Sequence, residues 1–145
     1  MTLAPSFAFL SQFKSAKSYN YPGGSDDNAA GLVFYNGWAE WCDSYLAGSA
    51  FADYLRDPNV LGFFSDNEIN FSSNSSKGVQ SVTDALNNEF AGIVAEKYYK
   101  AVKEAVMKVD DKLLYLGTRL HGTPKYMEGV MRAAGKYCDV ISINY

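Results

Sequence analysis

Residues 57–68 have the sequence Asp-Pro-Asn-Val-Leu-Gly-Phe-Phe-Ser-Asp-Asn-Glu, and this stretch decides the fold. Its apolar run begins after Pro58 and lacks the polar–apolar alternation of a strand that has one solvent-exposed face. A short continuous run of this kind predicts a strand that is buried on both faces, as in a parallel sheet. The run stops abruptly at three polar residues, Asp66, Asn67 and Glu68.

Two similar apolar runs follow, and helical patterns separate all three. The further strands are predicted at 113–117 and at 140–145. Helical spacing is found over 37–56, where Gly48 permits a break, over 88–108, and from Thr123 and Pro124 to about Tyr137. Residues 32–35 suit a strand or an extended approach to a helix, residues 1–31 an irregular N-terminal segment, and residues 69–82 a loop. The alternation predicts an α/β fold with a parallel sheet and right-handed crossovers.

The spacing of one helix between successive strands is that of a (β/α)₈ TIM barrel. A whole barrel needs about 250 residues, and this chain has 145. The last strand pattern also runs to the final residue without a polar end. We therefore expect parallel βαβ units that form about half a barrel, as a fragment or a truncated product. The alternative is a complete α/β domain of three or four strands.

Composition excludes several classes of protein. Hydrophobic residues make up 48% and charged residues 20%, which predicts a packed domain. The net charge of −3 argues against nucleic-acid binding, and no apolar run is long enough for a membrane span. Residues 1–10 have no basic start, so we predict no signal peptide. One histidine and two distant cysteines form no metal or disulfide pattern, so we expect no metal site and no cofactor, and both cysteines as small buried side chains.

Polar or aromatic residues stand where each predicted strand ends, and parallel strands bring these ends to one rim. Glu68 is the strongest candidate, because a carboxyl at an apolar mouth is partly desolvated and can carry a proton near neutral pH. Asn67 offers both an acceptor and donors to a sugar hydroxyl. Two other interpretations of this stretch stay open. It suits a solvated loop start or helix cap, and Asp66 with Glu68 suits a divalent cation.

Residues 57–68 resemble the fourth-strand segment of the large (β/α)₈ clan of retaining glycoside hydrolases, in which an Asn-Glu pair closes strand four. The stretches 114–119 and 133–145 are similar to strands five and six of agarase-like and β-galactosidase-like members. The resemblance covers residues 32–145. It implies a partial TIM-barrel glycoside hydrolase catalytic domain that holds strands four to six and acts on a poly- or oligosaccharide.

The resemblance also implies roles for single residues. Glu68 is expected to be the general acid/base, and Asn67 to hold the 2-hydroxyl of the sugar at the cleaved bond. Tyr145 takes the place of a strand-six aromatic that often approaches the nucleophile. The residues assigned to substrate binding are Asp66, Arg119, His121, Tyr145 and Phe71. Trp38 is expected in the core instead, and Arg119 suits an ion pair equally well.

The chain departs from the clan at the second carboxylate, which closes strand seven and must lie about 5–5.5 Å from the first. Strand seven is absent, so we expect no hydrolysis by the isolated chain. The alternative function is a non-catalytic carbohydrate-binding or interaction domain. Open sheet edges, above all residues 140–145, predict self-association. Polysaccharide degradation favours a secreted or periplasmic location, although the compartment stays open.

Overall fold

The computed structural model describes residues 4–17, 31–47, 50–69, 71 and 80–145. Its helices are α1 (Phe9–Lys17), α2 (Trp38–Ala47), α3 (Ala50–Leu55), α4 (Gln80–Met107) and α5 (Glu128–Tyr137). Its strands are β1 (Gly62–Phe63) and β2 (Leu114–Tyr115), and a 3₁₀ helix covers Thr123–Tyr126.

The two strands pair in parallel, with Gly62 opposite Leu114 and Phe63 opposite Tyr115. A parallel bridge from Ser6 to Phe64 extends this sheet on one side. A second bridge, from Leu120 to Ile143, continues it on the other side. The described segments therefore follow one another side by side in chain order, which is an α/β arrangement with parallel strands as the sequence predicts.

The strand predicted at 140–145 is present only as the bridge at Ile143. The backbone nitrogens of Asp139 and Val140 both donate to the carbonyl of Tyr115, and regular pairing is resumed only at Leu120. Between these points Gly117 and Arg119 have positive φ angles of 75° and 50°. This turn of the neighbouring backbone interrupts the ladder, so the prediction of a continuous third strand is wrong.

One face of the sheet is covered by α4. Phe63 and Tyr115 stack with ring centroids 4.7 Å apart, and both are fully buried. Tyr99 of α4 meets the Tyr115 ring edge-on at 6.0 Å. Phe64, the next residue of the strand, is only half-buried. Alternate side chains thus point to opposite faces, as in any strand, and the face of Phe63 is the core.

Helices α4 and α5 approach closely at two glycines. A Cβ on Gly129 would lie 2.6 Å from the carbonyl oxygen of Asn88, and one on Gly92 would lie 2.9 Å from the Cα of Gly129. The Gly129 nitrogen also donates to Asn88 Oδ1 at 3.0 Å. Only glycine leaves room for this contact, which fixes α5 against the long helix.

The predicted helices are present in the structure, but they begin and end at other residues than the sequence predicts. The predicted helix at 37–56 is present as α2 and α3, and residues 48 and 49 lie outside the described part. The helix predicted at 88–108 is α4, which begins earlier. The helix predicted from Thr123 is divided, because Met127 is extended (φ −83°, ψ 114°) between the 3₁₀ helix and α5.

The N-terminal segment is more ordered than the sequence predicts. Residues 9–17 form α1, which buries Phe9, Leu10 and Phe13 on one side. Phe13 meets the Trp38 ring edge-on at 5.1 Å. The prediction of an irregular segment is therefore wrong for these residues, and residues 18–30 lie outside the described part. Residues 31–34 form a 3₁₀ turn, where a strand or an extended approach was predicted.

Candidate active site

Three strand ends meet at one rim of the sheet, and side chains from two of them touch. Asn144 Nδ2 donates to Glu68 Oε1 at 2.7 Å and lies 3.4 Å from Asn67 Oδ1. Asn67 and Glu68 follow β1, whereas Asn144 ends the segment that bridges to Leu120. Both Asn67 and Glu68 are exposed. The arrangement therefore presents a carboxylate to solvent while fixing one of its oxygens.

Two residues at this rim have a strained backbone. Glu68 (φ 55°) and Arg119 (φ 50°) are, among the described residues, the non-glycine positions with positive φ. Such a conformation costs roughly 1–3 kcal/mol, and in known proteins it clusters at functional sites. The Glu68 nitrogen donates to the carbonyl of Thr118 at 2.9 Å, which holds the turn in place. The strain marks both strand ends as candidate functional positions.

Asp66 does not join this group, because its carboxyl is buried. It is 6% exposed and accepts hydrogen bonds from the Tyr98 hydroxyl at 2.5 Å and from the Leu10 nitrogen at 3.3 Å. Burial raises the pKa of Asp66 to about 7, although the bonds from Tyr98 and the α1 backbone oppose the rise. Asp66 caps the free nitrogens at the start of α1. The geometry gives its predicted contact with substrate no support.

Phe71 and Trp38 both belong to the core. Phe71 is 2% exposed and packs against Tyr98 and Tyr99, with centroids 6.0 and 5.7 Å away. Its ring therefore has no free face on which a sugar could stack. Trp38 is 4% exposed and stacks on Tyr98, so its predicted place in the core is confirmed.

Arg119 lies across the half-buried face of the sheet. Its guanidinium carbon is 4.8 Å from the centroid of the Phe64 ring, and Nη2 is 3.3 Å from Ser6 Oγ. Its Nε is buried without a hydrogen-bond partner in the described part. The ion pair considered for Arg119 is not formed with any described carboxylate. Arg119 instead packs on Phe64 and contacts Ser6, and through Ser6 it connects the rim to the N-terminal segment.

His121 and Tyr145 are exposed at the same rim, and the structure adds neighbours that the sequence analysis missed. Lys125 Nζ lies 5.1 Å from the Tyr126 ring centroid and 5.6 Å from that of Tyr145. Lys125 and Tyr126 escaped notice because a helical pattern from Thr123 explained them. Asn144 was visible as a polar strand end, but nothing in the sequence showed that it would contact Glu68.

Two grooves lie on the helix side, away from this rim. The first, of about 370 Å³, runs between α4 and α5, and the second, of about 390 Å³, lies beside residues 33–40. In the first, Glu96 pairs with Lys136 and Glu128 pairs with Arg132. Four of the charged side chains that line this groove therefore neutralise one another, and Glu89 lines it as well.

Neither a metal centre nor a membrane segment is found in the part of the chain that the structure covers. No three His, Cys, Asp or Glu side chains among its residues are grouped so that they could hold a metal ion. Nor does any helix there have the length and apolar character needed to cross a membrane. Cys42 is buried and Cys138 half-buried, both with free thiols whose pKa is raised by burial.

Comparison with solved structures gives strong matches. The chain is 51% identical to BpGH50 over 98% of its own length, with a TM-score of 0.85. It is 22% identical to AgWH50C, an agarase, with a TM-score of 0.61 and 78% of the chain covered. It is 19% identical to an exo-beta-agarase, with a TM-score of 0.63 and 77% covered. No family model and no curated protein matches the chain.

These matches support the glycoside hydrolase part of the resemblance. The similar structures carry glycoside hydrolase designations, and two of them are agarases. The two agarases are distant and show the fold alone, whereas BpGH50 shares half of the residues. The chain spans 38% of the length of BpGH50, 22% of AgWH50C and 23% of the exo-beta-agarase. The complete TIM barrel and the link to β-galactosidases stay predictions.

Proposed function

We propose that this chain carries the acid/base half of a retaining glycoside hydrolase site that cleaves an agarose-type galactan. The observation that carries the proposal is the exposed Glu68 carboxyl, held by Asn144 beside Asn67. The 51% identity to BpGH50 and the agarase names of two similar structures support the choice of reaction and substrate.

In the first step, Glu68 gives its proton to the glycosidic oxygen as the bond between that oxygen and the anomeric carbon breaks. A nucleophilic carboxylate forms the new bond to the anomeric carbon. In the second step, Glu68 takes a proton from water, whose oxygen then displaces the carboxylate. Because Asn144 donates to Oε1, that oxygen remains an acceptor and the proton is carried on Oε2. Asn67 is placed to hold the sugar 2-hydroxyl.

The second carboxylate of this mechanism has no counterpart at the described strand ends. Asp66 is turned into the core against Tyr98. Asp139 lies at the opposite end of its segment, where it pairs with Lys103 at 2.6 Å. Neither can face Glu68 across a sugar ring at the ~5–5.5 Å that retention requires. We therefore propose that the nucleophile comes from residues outside the described part, so complete hydrolysis needs more than the rim seen here.

A hybrid enzyme tests the acid/base role. This chain replaces the matching segment of BpGH50, and turnover is measured on agarose and on a nitrophenyl galactoside. General acid catalysis contributes about 10²–10⁴-fold. We therefore expect Glu68→Gln to lower agarose turnover on that scale, and to slow the nitrophenyl substrate less, because its leaving group needs no proton.

Glu89→Gln is the matched control, since Glu89 is an exposed carboxylate on α4 and not at a strand end. It should leave both rates unchanged. Equal agarose turnover in the Glu68→Gln hybrid and its parent would contradict the assignment.

The alternative function is carbohydrate binding without catalysis. The observation that favours it is the single exposed carboxylate at the described rim, with Asp66 buried. This alternative predicts that the hybrid binds agarose oligosaccharides but does not hydrolyse them, whether residue 68 is Glu or Gln.

A further inference from the structure

Tyr126 is 79% exposed, the highest value among the described large hydrophobic residues apart from Tyr145, the last residue of the sequence. Most other aromatic rings of the described residues pack against one another in the core. A large exposed apolar surface is a feature of interaction sites. The exposure of the Tyr126 ring therefore needs an explanation that core packing does not provide.

Lys125 contacts the rings of both Tyr126 and Tyr145. Its ammonium lies within 6 Å of both centroids, at 5.1 and 5.6 Å, which is the range of a cation–π contact. No carboxylate of the described residues pairs with Lys125, whereas Lys103, Lys108 and Lys136 all have such partners. We refer to Lys125, Tyr126 and Tyr145 as the tyrosine–lysine platform.

The platform adjoins the candidate acid/base. Tyr145 directly follows Asn144, whose amide contacts Glu68. Lys125 and Tyr126 lie in the 3₁₀ helix that follows the end of β2, where buried Pro124 anchors the short helix and Gly122 turns the chain into it with φ 61°. Both sides of the platform thus come from strand ends at the same rim.

We propose that the tyrosine–lysine platform is a sugar-binding subsite next to Glu68. A pyranose ring lies with its apolar face on Tyr126, and the Lys125 ammonium donates to an oxygen of that ring or of its neighbour. Hydroxyl and sulfate-ester oxygens both accept from an ammonium, so the platform suits an agarose-type galactan, neutral or sulfated. The choice of sugar rests on the proposed function.

Calorimetric titration of this chain with a neutral agarose hexasaccharide and with its sulfated counterpart tests the subsite. An aromatic contact is worth about 0.5–1.5 kcal/mol, which is roughly two- to tenfold in Kd. We expect Tyr126→Ala to weaken binding on that scale and Tyr126→Phe, which keeps the ring, to bind like the parent. Lys125→Gln should weaken binding of the sulfated sugar more if sulfate is the acceptor, and of both equally if a hydroxyl is.

Lys112→Gln and Tyr54→Ala are the controls. Both residues are exposed. Lys112 lies just before β2 and Tyr54 lies in α3. Neither substitution should alter Kd. Circular dichroism confirms that each variant is folded.

Parent-like Kd values for both Tyr126→Ala and Lys125→Gln would overturn the subsite, and so would failure of the parent chain to bind either sugar. The proposed function is judged separately, by agarose turnover of the Glu68→Gln hybrid. If Glu68→Gln lowers turnover of the hybrid while Tyr126→Ala and Lys125→Gln bind the sugars like the parent chain, only the platform is contradicted.

Discussion

Asp66 and Glu68 are separated by one residue, yet their carboxyls have opposite surroundings. Asp66 is buried, bonded to Tyr98 and to the start of α1, and its pKa is raised to about 7. Glu68 is exposed and bonded to Asn144 from another strand end. The contrast shows where the core stops and the rim begins. The same short stretch supplies one carboxyl that organises the fold and one that is free to meet a ligand.

Replacing each of the two carboxyls by a neutral side chain should change the free energy of unfolding by very different amounts. Asp66→Ala leaves the Tyr98 hydroxyl and the Leu10 nitrogen without their acceptor in the core, which should lower the free energy of unfolding by about 3 kcal/mol. Glu68→Gln should change it by less than about 0.5 kcal/mol, since the residue is exposed. Urea unfolding at pH 5, where Asp66 is mostly protonated, measures both. Similar losses in the two variants would remove the distinction between core and rim.

Removing the Asn144 amide should weaken catalysis without unfolding the rim. In the BpGH50 hybrid, Asn144→Ala frees Glu68 Oε1 from its 2.7 Å contact, and we expect agarose turnover to fall about tenfold, the scale of one charge-assisted bond. Asn144→Gln, with a longer amide, serves as the partial rescue. Turnover that is unaffected by Asn144→Ala would show that Glu68 does not depend on this neighbour.

Stability should fall with rising pH because of Asp66. In the unfolded chain its carboxyl loses the proton near the ordinary value of 3.8, whereas in the fold it keeps the proton to about pH 7. Between these values the unfolded state binds fewer protons, so the free energy of unfolding decreases as pH rises and levels off above pH 7. Thermal unfolding from pH 4 to 8 should show this slope, and Asp66→Asn should flatten it. An equal slope in the variant would place the effect elsewhere.

The smallest expected effect concerns residues 140–145, which follow α5 at the edge of the sheet. Val140, Ile141 and Ile143 are 45%, 37% and 41% exposed beside an incomplete ladder. Such an edge favours pairing with another chain. We expect light scattering across a dilution series to show self-association of the chain, and Val140→Lys to shift it toward monomer. A monomeric parent chain at all concentrations would contradict this prediction.

The sequence predicted parallel strands separated by helices and the approach of Glu68 to the end of the last segment, because buried apolar runs and the residues that end them are strong signals. It did not predict the separation of Asp66 from Glu68. Residues two apart share a face only while a strand stays regular, and the positive φ of Glu68 ends that regularity. This backbone turn depends on the bond to Thr118, a contact between distant parts of the chain.

The missed features have similar causes. Helix α1 has only nine residues, so its apolar pattern is short, and its start is fixed by Asp66 from another element. The resemblance assigned Phe71 to substrate binding, but Tyr98 and Tyr99 on α4 enclose its ring. Lys125 and Tyr126 lie in a 3₁₀ helix that the sequence pattern cannot separate from α5.

A crystal structure of this chain with a bound agarose oligosaccharide tests the central claim most directly. The proposal predicts a glycosidic oxygen about 3 Å from the Glu68 carboxyl, with the 2-hydroxyl at Asn67 and a neighbouring ring on Tyr126. A sugar bound only in the groove between α4 and α5, with Glu68 touching no part of it, would contradict the account.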